Sequence, residues 1–438
     1  MNPFLLQHRI PVRSVRWITL LMMAGTACSD VVTPAAVDRL AGFIREQHPG
    51  LQALHLRAGA AQAQAEATRR WADPTLRAGG IGFADRGPLA SEEGDVALGI
   101  TQPLPVFGKE SAARAVADAE AKTASETAET RFRVLKRDLM ERLIQAALLN
   151  RTRALIEADL SWLRQALLHV QARQASGSVS AVQVLQLRND VSETETRLRL
   201  QQIESQDAAA RIHRLLGRPL DSTHGAWELP PKARPLTYRP EWSRQALAEE
   251  PRLRVARKLS EEAEARVEAT RKSRRPNLAL GLDSRQYSGD GGLRNGSATL
   301  SLTLPWLNRD QYRKDLSRDR LRFDAAQREV ADLEAEVTLE IHHWLTRIEG
   351  ARIRAELAGD TLIPRIRAAL DTATAGLSAG SGDLRDILEL RRTWLEAESK
   401  QAAAIADQWT AIADLLLTCG WSDLPQDSIR TTPASPTR

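Results

Sequence analysis

The chain states most of its local signals twice, about 200 residues apart, which makes it two copies of one long unit rather than a solenoid of short repeats. His48-Pro49-Gly50-Leu51 returns as Glu250-Pro251-Arg252-Leu253, and Asp73-Pro74-Thr75-Leu76 as Arg275-Pro276-Asn277-Leu278. Leu104-Pro105 returns as Leu304-Pro305, Val184-Leu185-Gln186-Leu187 as Ile387-Leu388-Glu389-Leu390, and Leu216-Gly217 as Cys419-Gly420. The register barely drifts, so whatever one half folds into, the other half repeats.

Each half changes its hydrophobic period twice. Its opening stretch is Ala-rich or Arg/Glu-rich and helical, predicted as single helices over 37–72 and 241–274, each ending before a proline. A two-residue alternation follows, which only a strand can use. Leu278, Leu280 and Leu282 alternate with Ala279, Gly281 and Asp283, and Ala298, Leu300, Leu302 and Leu304 with Ser297, Thr299, Ser301 and Thr303. Ser288-Gly289-Asp290-Gly291-Gly292 between them is a turn. In the first half Val96, Leu98 and Ile100 alternate with Ala97, Gly99 and Thr101, and the Gly-rich stretch 75–83 is their partner. One hairpin per half is expected, with strands over 75–83 and 94–103, then 277–286 and 297–304.

The helical period then returns and persists. Val330, Leu333, Val337, Ile341, Trp344 and Ile348 step by three and four residues, the seam of a coiled coil. Helices are predicted over 108–175 and 181–216 in the first half, and over 309–358, 363–378 and 384–419 in the second, with an interruption at Pro364. The repeats span 28–220 and 241–421, joined by a Pro-rich linker at 221–240 and followed by a disordered tail at 422–438. The fold class is mainly α with a small β part.

Arg9, Arg13 and Arg16, a short apolar run over 17–24 and small residues up to Ala27 have the build of a secretory signal peptide over 1–27. Its removal takes three arginines and brings a chain of net charge +5 close to neutral, and no Lys/Arg cluster interleaved with aromatics points to nucleic acid. Cys28 then stands first and is either a lipidation site or an ordinary cysteine near the cleavage point. No catalytic constellation is present: His342-His343 lacks the spacing of a helical zinc site, and neither a phosphate-binding loop nor a nucleophile elbow occurs. An enzyme and a bound cofactor or metal are not expected.

Two strands cannot bury a core, and an open sheet edge is intolerable in lipid. The alternation makes sense if several chains share one barrel, with Leu300, Leu302 and Leu304 toward lipid and Ser/Thr toward water. The other reading is a small half-buried sheet on a soluble helical protein, a periplasmic scaffold or adaptor.

The order helix, hairpin, very long helix, Gly-marked turn and return helix, given twice, resembles the outer membrane factor (TolC-like) family of tripartite efflux systems. The residues that carry the likeness are Gly99-Ile100-Thr101-Gln102-Pro103-Leu104-Pro105-Val106-Phe107-Gly108-Lys109, similar to the family's strand-to-helix junction, and Leu362-Ile363-Pro364. That family implies a homotrimer, with a 12-stranded outer-membrane barrel continuing into a periplasmic coiled-coil tunnel. Its partners are outer-membrane lipid, a periplasmic adaptor protein and an inner-membrane pump of the RND type or similar. By the same resemblance Asp386 and Glu389 occupy the positions of an acidic ring across the pore entrance, Gln183 being the uncharged counterpart in the first repeat. Gly177, Ser178, Gly380, Ser381, Gly382 and Asp383 occupy the tips that meet the adaptor. By residue type alone the two acids are a solvated helix face, and the tip glycines are ordinary caps. The junction is similar to members of heavy-metal efflux systems, which implies a cation cargo; a duct for small organic toxicants or for type I secretion is the alternative.

Overall fold

The computed structural model describes residues 30–68, 71–81, 95–175, 180–220, 225–287, 292–378 and 383–424. Cys28, Gly177, Ser178, Gly380, Ser381 and Gly382, with the signal segment and residues 425–438, lie outside them. The first half runs β1 (Asp30–Val31), α1 (Pro34–Gln47), α2 (Pro49–Ala67), β2 (Thr75–Ile81), β3 (Asp95–Leu104), α3 (Lys109–Ala175) and α4 (Ala181–Leu216). The second runs β4 (Trp227–Glu228), α5 (Pro240–Glu249), α6 (Pro251–Ser273), β5 (Leu278–Tyr287), β6 (Leu293–Leu302), a 3-10 turn (Pro305–Asn308), α7 (Arg309–Glu356), a π turn (Leu357–Leu362), α8 (Ile363–Ser378) and α9 (Leu384–Cys419).

The expected single helices over 37–72 and 241–274 are each broken in two, at His48 and at Glu250. A proline disfavours helical backbone in the residue before it but suits the first position of a new helix. His48 and Glu250 accordingly adopt ψ of 114° and 125°. Both cap the helix they precede: Leu51 N–H donates to His48 Nδ1 at 3.2 Å, and Leu253 N–H to Glu250 Oε2 at 2.6 Å.

The breaks are docking points. Helices α4 and α9 each have 36 residues and end on a left-handed glycine, Gly217 (φ 69°) and Gly420 (φ 67°). A Cβ on Gly217 would lie 2.6 Å from the Gln47 carbonyl oxygen, and one on Gly420 would lie 2.6 Å from Glu249 Cβ. The return helix of each repeat thus ends against the broken entry helix of the same repeat, with no room for any side chain. This is the one place where both glycines are obligatory twice over, by φ and by contact.

Helix α3 has 67 residues, about 100 Å at 1.5 Å per residue. Its counterpart is α7 and α8 with the π turn between them, so the interruption expected between 358 and 363 is a π turn just before Pro364 and not a break in the helix. Pro364 lacks an N–H and its ring crowds the carbonyl four residues back, and the widened turn over Leu357–Leu362 accommodates both. The main core lies where α3, α7 and α9 meet the entry helices: Leu135, Leu139, Leu143, Val337, Ile341, Ile348 and Ile412 are all essentially inaccessible. The α7 seam read from the sequence is the stripe that enters it.

The segment assigned as a linker is pinned over its described length. Trp227–Glu228 pairs in parallel with Asp30–Val31, Gln408 exchanges hydrogen bonds with the Ala233 backbone (2.9 and 3.1 Å), and Trp409 Nε1 donates to the Pro231 carbonyl (2.9 Å).

The two hairpins join into one antiparallel sheet of order β2-β3-β5-β6, β3 and β5 pairing across the repeats. Strand β6 ends at Leu302, two residues short of expectation. Thr303 closes the ladder, its N–H donating to the Asn277 carbonyl (3.0 Å) and its hydroxyl accepting from Asn277 N–H (2.7 Å), and Leu304 already leads the 3-10 turn.

Replacing Gly420 by Ala adds a methyl where Glu249 already sits and forces φ of 67° on a residue with a Cβ. We expect a loss of about 2 kcal/mol, read as a lower thermal midpoint, whereas Gly225→Ala, with nothing within 4 Å of the added carbon, should change it by less than about 0.5 kcal/mol.

Candidate functional site

Cross-strand partners in an antiparallel sheet point to the same side, so the register sorts every strand residue onto one of two faces. One face holds the rows Leu104-Leu278-Leu302, Gln102-Leu280-Leu300, Leu76-Ile100-Leu282-Ala298 and Ala78-Leu98-Ser284-Gly296. The other holds Thr75-Thr101-Gly281-Thr299, Arg77-Gly99-Asp283-Ser297 and Gly79-Ala97-Arg285-Asn295. Neither is covered: Leu76 is 77% exposed, Leu300 66% and Leu302 48%. The central apolar row is that of Leu282. Leu302 sits at the last rung beside the helices, and Leu304 lies past the strand, so of the three leucines assigned to the strand face Leu300 and Leu302 belong to it and Leu304 does not. Strands β2 and β6 are the edges of the sheet, each with one unpaired row of backbone groups.

At the other end of the long helices the first turn of α9 carries the acids singled out in the sequence. Asp383 is the N-cap, its Oδ1 accepting from Arg385 N–H at 3.0 Å. Asp386 and Glu389 are both exposed, while Ile387 between them is buried against the helix pair. Gln183 occupies the matching turn of α4. It lines the same cavity as Asp383, Leu384 and Ile387, a space of about 380 Å³ walled by Trp162 and Val170 of α3. The tips of the two repeats therefore stand side by side, with Asp386 and Glu389 outside that shared cavity.

Sequence reasoning missed the ladder that ties the two helical hairpins together. Along α3 and α9 Arg137 binds Asp414 (Nε to Oδ1, 2.6 Å), Arg151 binds Glu398 (2.8 Å) and Asp159 binds Arg391 (Oδ1 to Nε, 2.7 Å). Burial pushes the Asp414 carboxyl above its usual range while the Arg137 charge pulls it back. Arg391 also lies 4.3 Å over the Trp162 ring, and the Arg391–Asp159 pair is about 85% shielded from water. Its members are 232 residues apart, and no local pattern pairs residues at that separation. Beside it Arg392 faces Asp190 at 3.6 Å, and burial raises the Asp190 carboxyl against the pull of Arg392. Among the described residues no group of three His, Cys, Asp or Glu could hold a metal ion, and no helix is long and apolar enough to cross a membrane.

The sequence model of outer membrane efflux proteins matches residues 40–218 and 242–420, one match to each repeat. No curated protein matches the chain significantly. Among solved structures, the outer-membrane channel OprN is 17% identical with a TM-score of 0.76, covering 88% of this chain and 90% of its own. CusC is 16% identical with a TM-score of 0.75 over 91% of this chain and 96% of its own. The CmeC outer membrane channel of Campylobacter jejuni is 12% identical with a TM-score of 0.76 over 96% and 94%. The likeness is one of fold and extends over nearly the whole length on both sides.

If the Arg391–Asp159 contact is a buried link and not a solvated surface pair, a double-mutant cycle with Arg391→Ala and Asp159→Ala should give a coupling of about 1 to 3 kcal/mol in thermal or denaturant unfolding. A coupling near zero would place the pair with ordinary surface salt bridges.

Proposed function

The chain belongs to the outer membrane efflux protein family, and from that premise we propose that three copies close their sheets into one 12-stranded barrel and form the exit duct of a tripartite efflux system. As a family member it is an outer-membrane channel protein reaching into the periplasm and not an enzyme. The observation that carries the proposal is the bare four-stranded sheet. It has a leucine face, a polar face and two unpaired edges, and nothing among the described residues covers any of them. Lipid satisfies the leucines, water the polar face, and a neighbouring copy at each edge supplies the missing hydrogen bonds.

In this arrangement α3, α4, α7, α8 and α9 continue the duct into the periplasm. The tip turns following α3 and α8 meet an adaptor protein, which couples the duct to an inner-membrane pump of the RND type or similar. Asp386 and Glu389, exposed at the tip, become two rings of three carboxylates about the threefold axis and a cation-attracting entrance. The pump selects the cargo. The similarity of the Gln102-Pro103-Leu104-Pro105-Val106-Phe107-Gly108-Lys109 junction to heavy-metal efflux members favours metal cations, and small organic toxicants are the second reading.

Light scattering of the detergent-solubilised protein should give three chains, and a stable monomer would sink the architecture. Leu282→Arg, at the central row of the lipid face, should impair assembly by about 2 to 4 kcal/mol, Leu302→Arg at the end rung by less, and Ser297→Arg on the opposite face hardly at all. Equal damage from Leu282→Arg and Ser297→Arg would rule out a barrel.

For the tip, the double change Asp386→Asn with Glu389→Gln should lower cation over anion selectivity in planar bilayers while leaving the trimer intact. Gln183→Ala should leave selectivity nearly unchanged. Unaltered selectivity in the neutralised protein would return the two acids to the status of solvated cap residues.

A further inference from the structure

The polar face of the sheet is not uniformly neutral. Its middle rows carry three charged side chains, Arg77, Asp283 and Arg285, brought together from β2 and β5 by the register. They are held differently. Asp283 Oδ1 lies 2.1 Å from where a Cβ on residue 99 would be, so the carboxylate lies flat across β3 in the space that Gly99 leaves open. The Thr299 hydroxyl donates to its Oδ2 at 3.4 Å. Arg77 donates to the Thr101 hydroxyl at 2.8 Å and is otherwise exposed, as is Arg285. Among the described residues neither arginine has a carboxylate partner. Asp95, the remaining acid of this register set, is the first residue of β3, at the end of the ladder away from the helices.

We propose that this cluster is a charge filter inside the barrel, Arg77 and Arg285 on the lumen face outnumbering an Asp283 seated against the wall, and that it favours anionic and uncharged solutes over multivalent cations. The inference rests on the duct reading and assigns its cargo class. Three copies set six guanidinium groups against three carboxylates at mid-height of the membrane. Twelve strands about 4.8 Å apart and tilted by about 40° enclose a backbone radius of roughly 12 Å. Six arginines on the inner face stand within about that radius of the axis, comparable to the Debye length of about 8 Å at physiological ionic strength. A solute on the axis therefore feels the ring, and because six guanidinium groups outnumber three carboxylates, the sign it feels is positive. The barrel and the acidic tip then have opposite polarity. A metal cation drawn in at the tip meets a barrier at the exit, whereas an organic anion or a neutral toxicant does not, which weighs for the second of the two cargo readings.

The reversal potential of the purified trimer in a planar bilayer under a KCl gradient tests this. Arg77→Gln with Arg285→Gln should raise the potassium-to-chloride permeability ratio by about threefold, and Arg77→Lys with Arg285→Lys should restore the wild-type value. Gly99→Ala should raise the ratio with both arginines intact, because the new methyl lifts the Asp283 carboxylate off the wall into the lumen. A conducting Arg77→Gln/Arg285→Gln trimer with an unchanged reversal potential would overturn the filter. A wild-type trimer that inserts without conducting would overturn the duct itself.

Discussion

The structure is arranged around backbone groups that have no partner among the described residues. Strands β2 and β6 each present an open row of N–H and C=O groups on a sheet that no described helix covers. In water such edges recruit other strands, and in hydrocarbon each unsatisfied group costs several kcal/mol. The only economical solution that also gives the leucine rows a solvent is closure with other copies in a bilayer. The helices follow from the same requirement. Because β3 and β5 pair across the repeats, the two hairpins form one continuous sheet, and each hairpin must feed a helix pair leaving it in the same direction.

The duplication was legible because its markers are local. Prolines before helices, glycines after them and the switch from a two-residue to a helical period all act within a few residues, and they placed the long helices to within about two residues of where they lie. The helix breaks at His48 and Glu250 are present in the sequence as repeated X-Pro pairs, but a composition that is helical on both sides hides them. Strand β6 starts four residues before the expected 297 because Leu293 and Asn295 straddle a bulge that shifts the alternation.

The functional geometry was less legible. The residues at the tip came from a resemblance, and the structure adds that Asp383 is a cap and that Ile387 separates the two exposed acids. The Arg391–Asp159 link, the seating of Asp283 on Gly99 and the docking of Gly217 and Gly420 each join residues far apart in the chain. No period or motif reports such contacts. Gly99 in particular reads in the sequence as a weak spot in a strand, whereas its missing side chain is what makes space for a charge.

The π turn makes the two repeats mechanically unequal. Helix α3 runs through its whole length without interruption, while its counterpart is jointed at Leu357–Leu362, where Gly359 lets Gln401 of α9 come so close that a Cβ would lie 2.1 Å from its Nε2. Lys232 reaches Asp360 at the same joint from the segment between the repeats (3.1 Å). Arranged about a threefold axis, such chains set three continuous long helices among three jointed ones. A wall whose long helices were all alike would be the same all round, whereas this one carries three joints set between three unbroken helices.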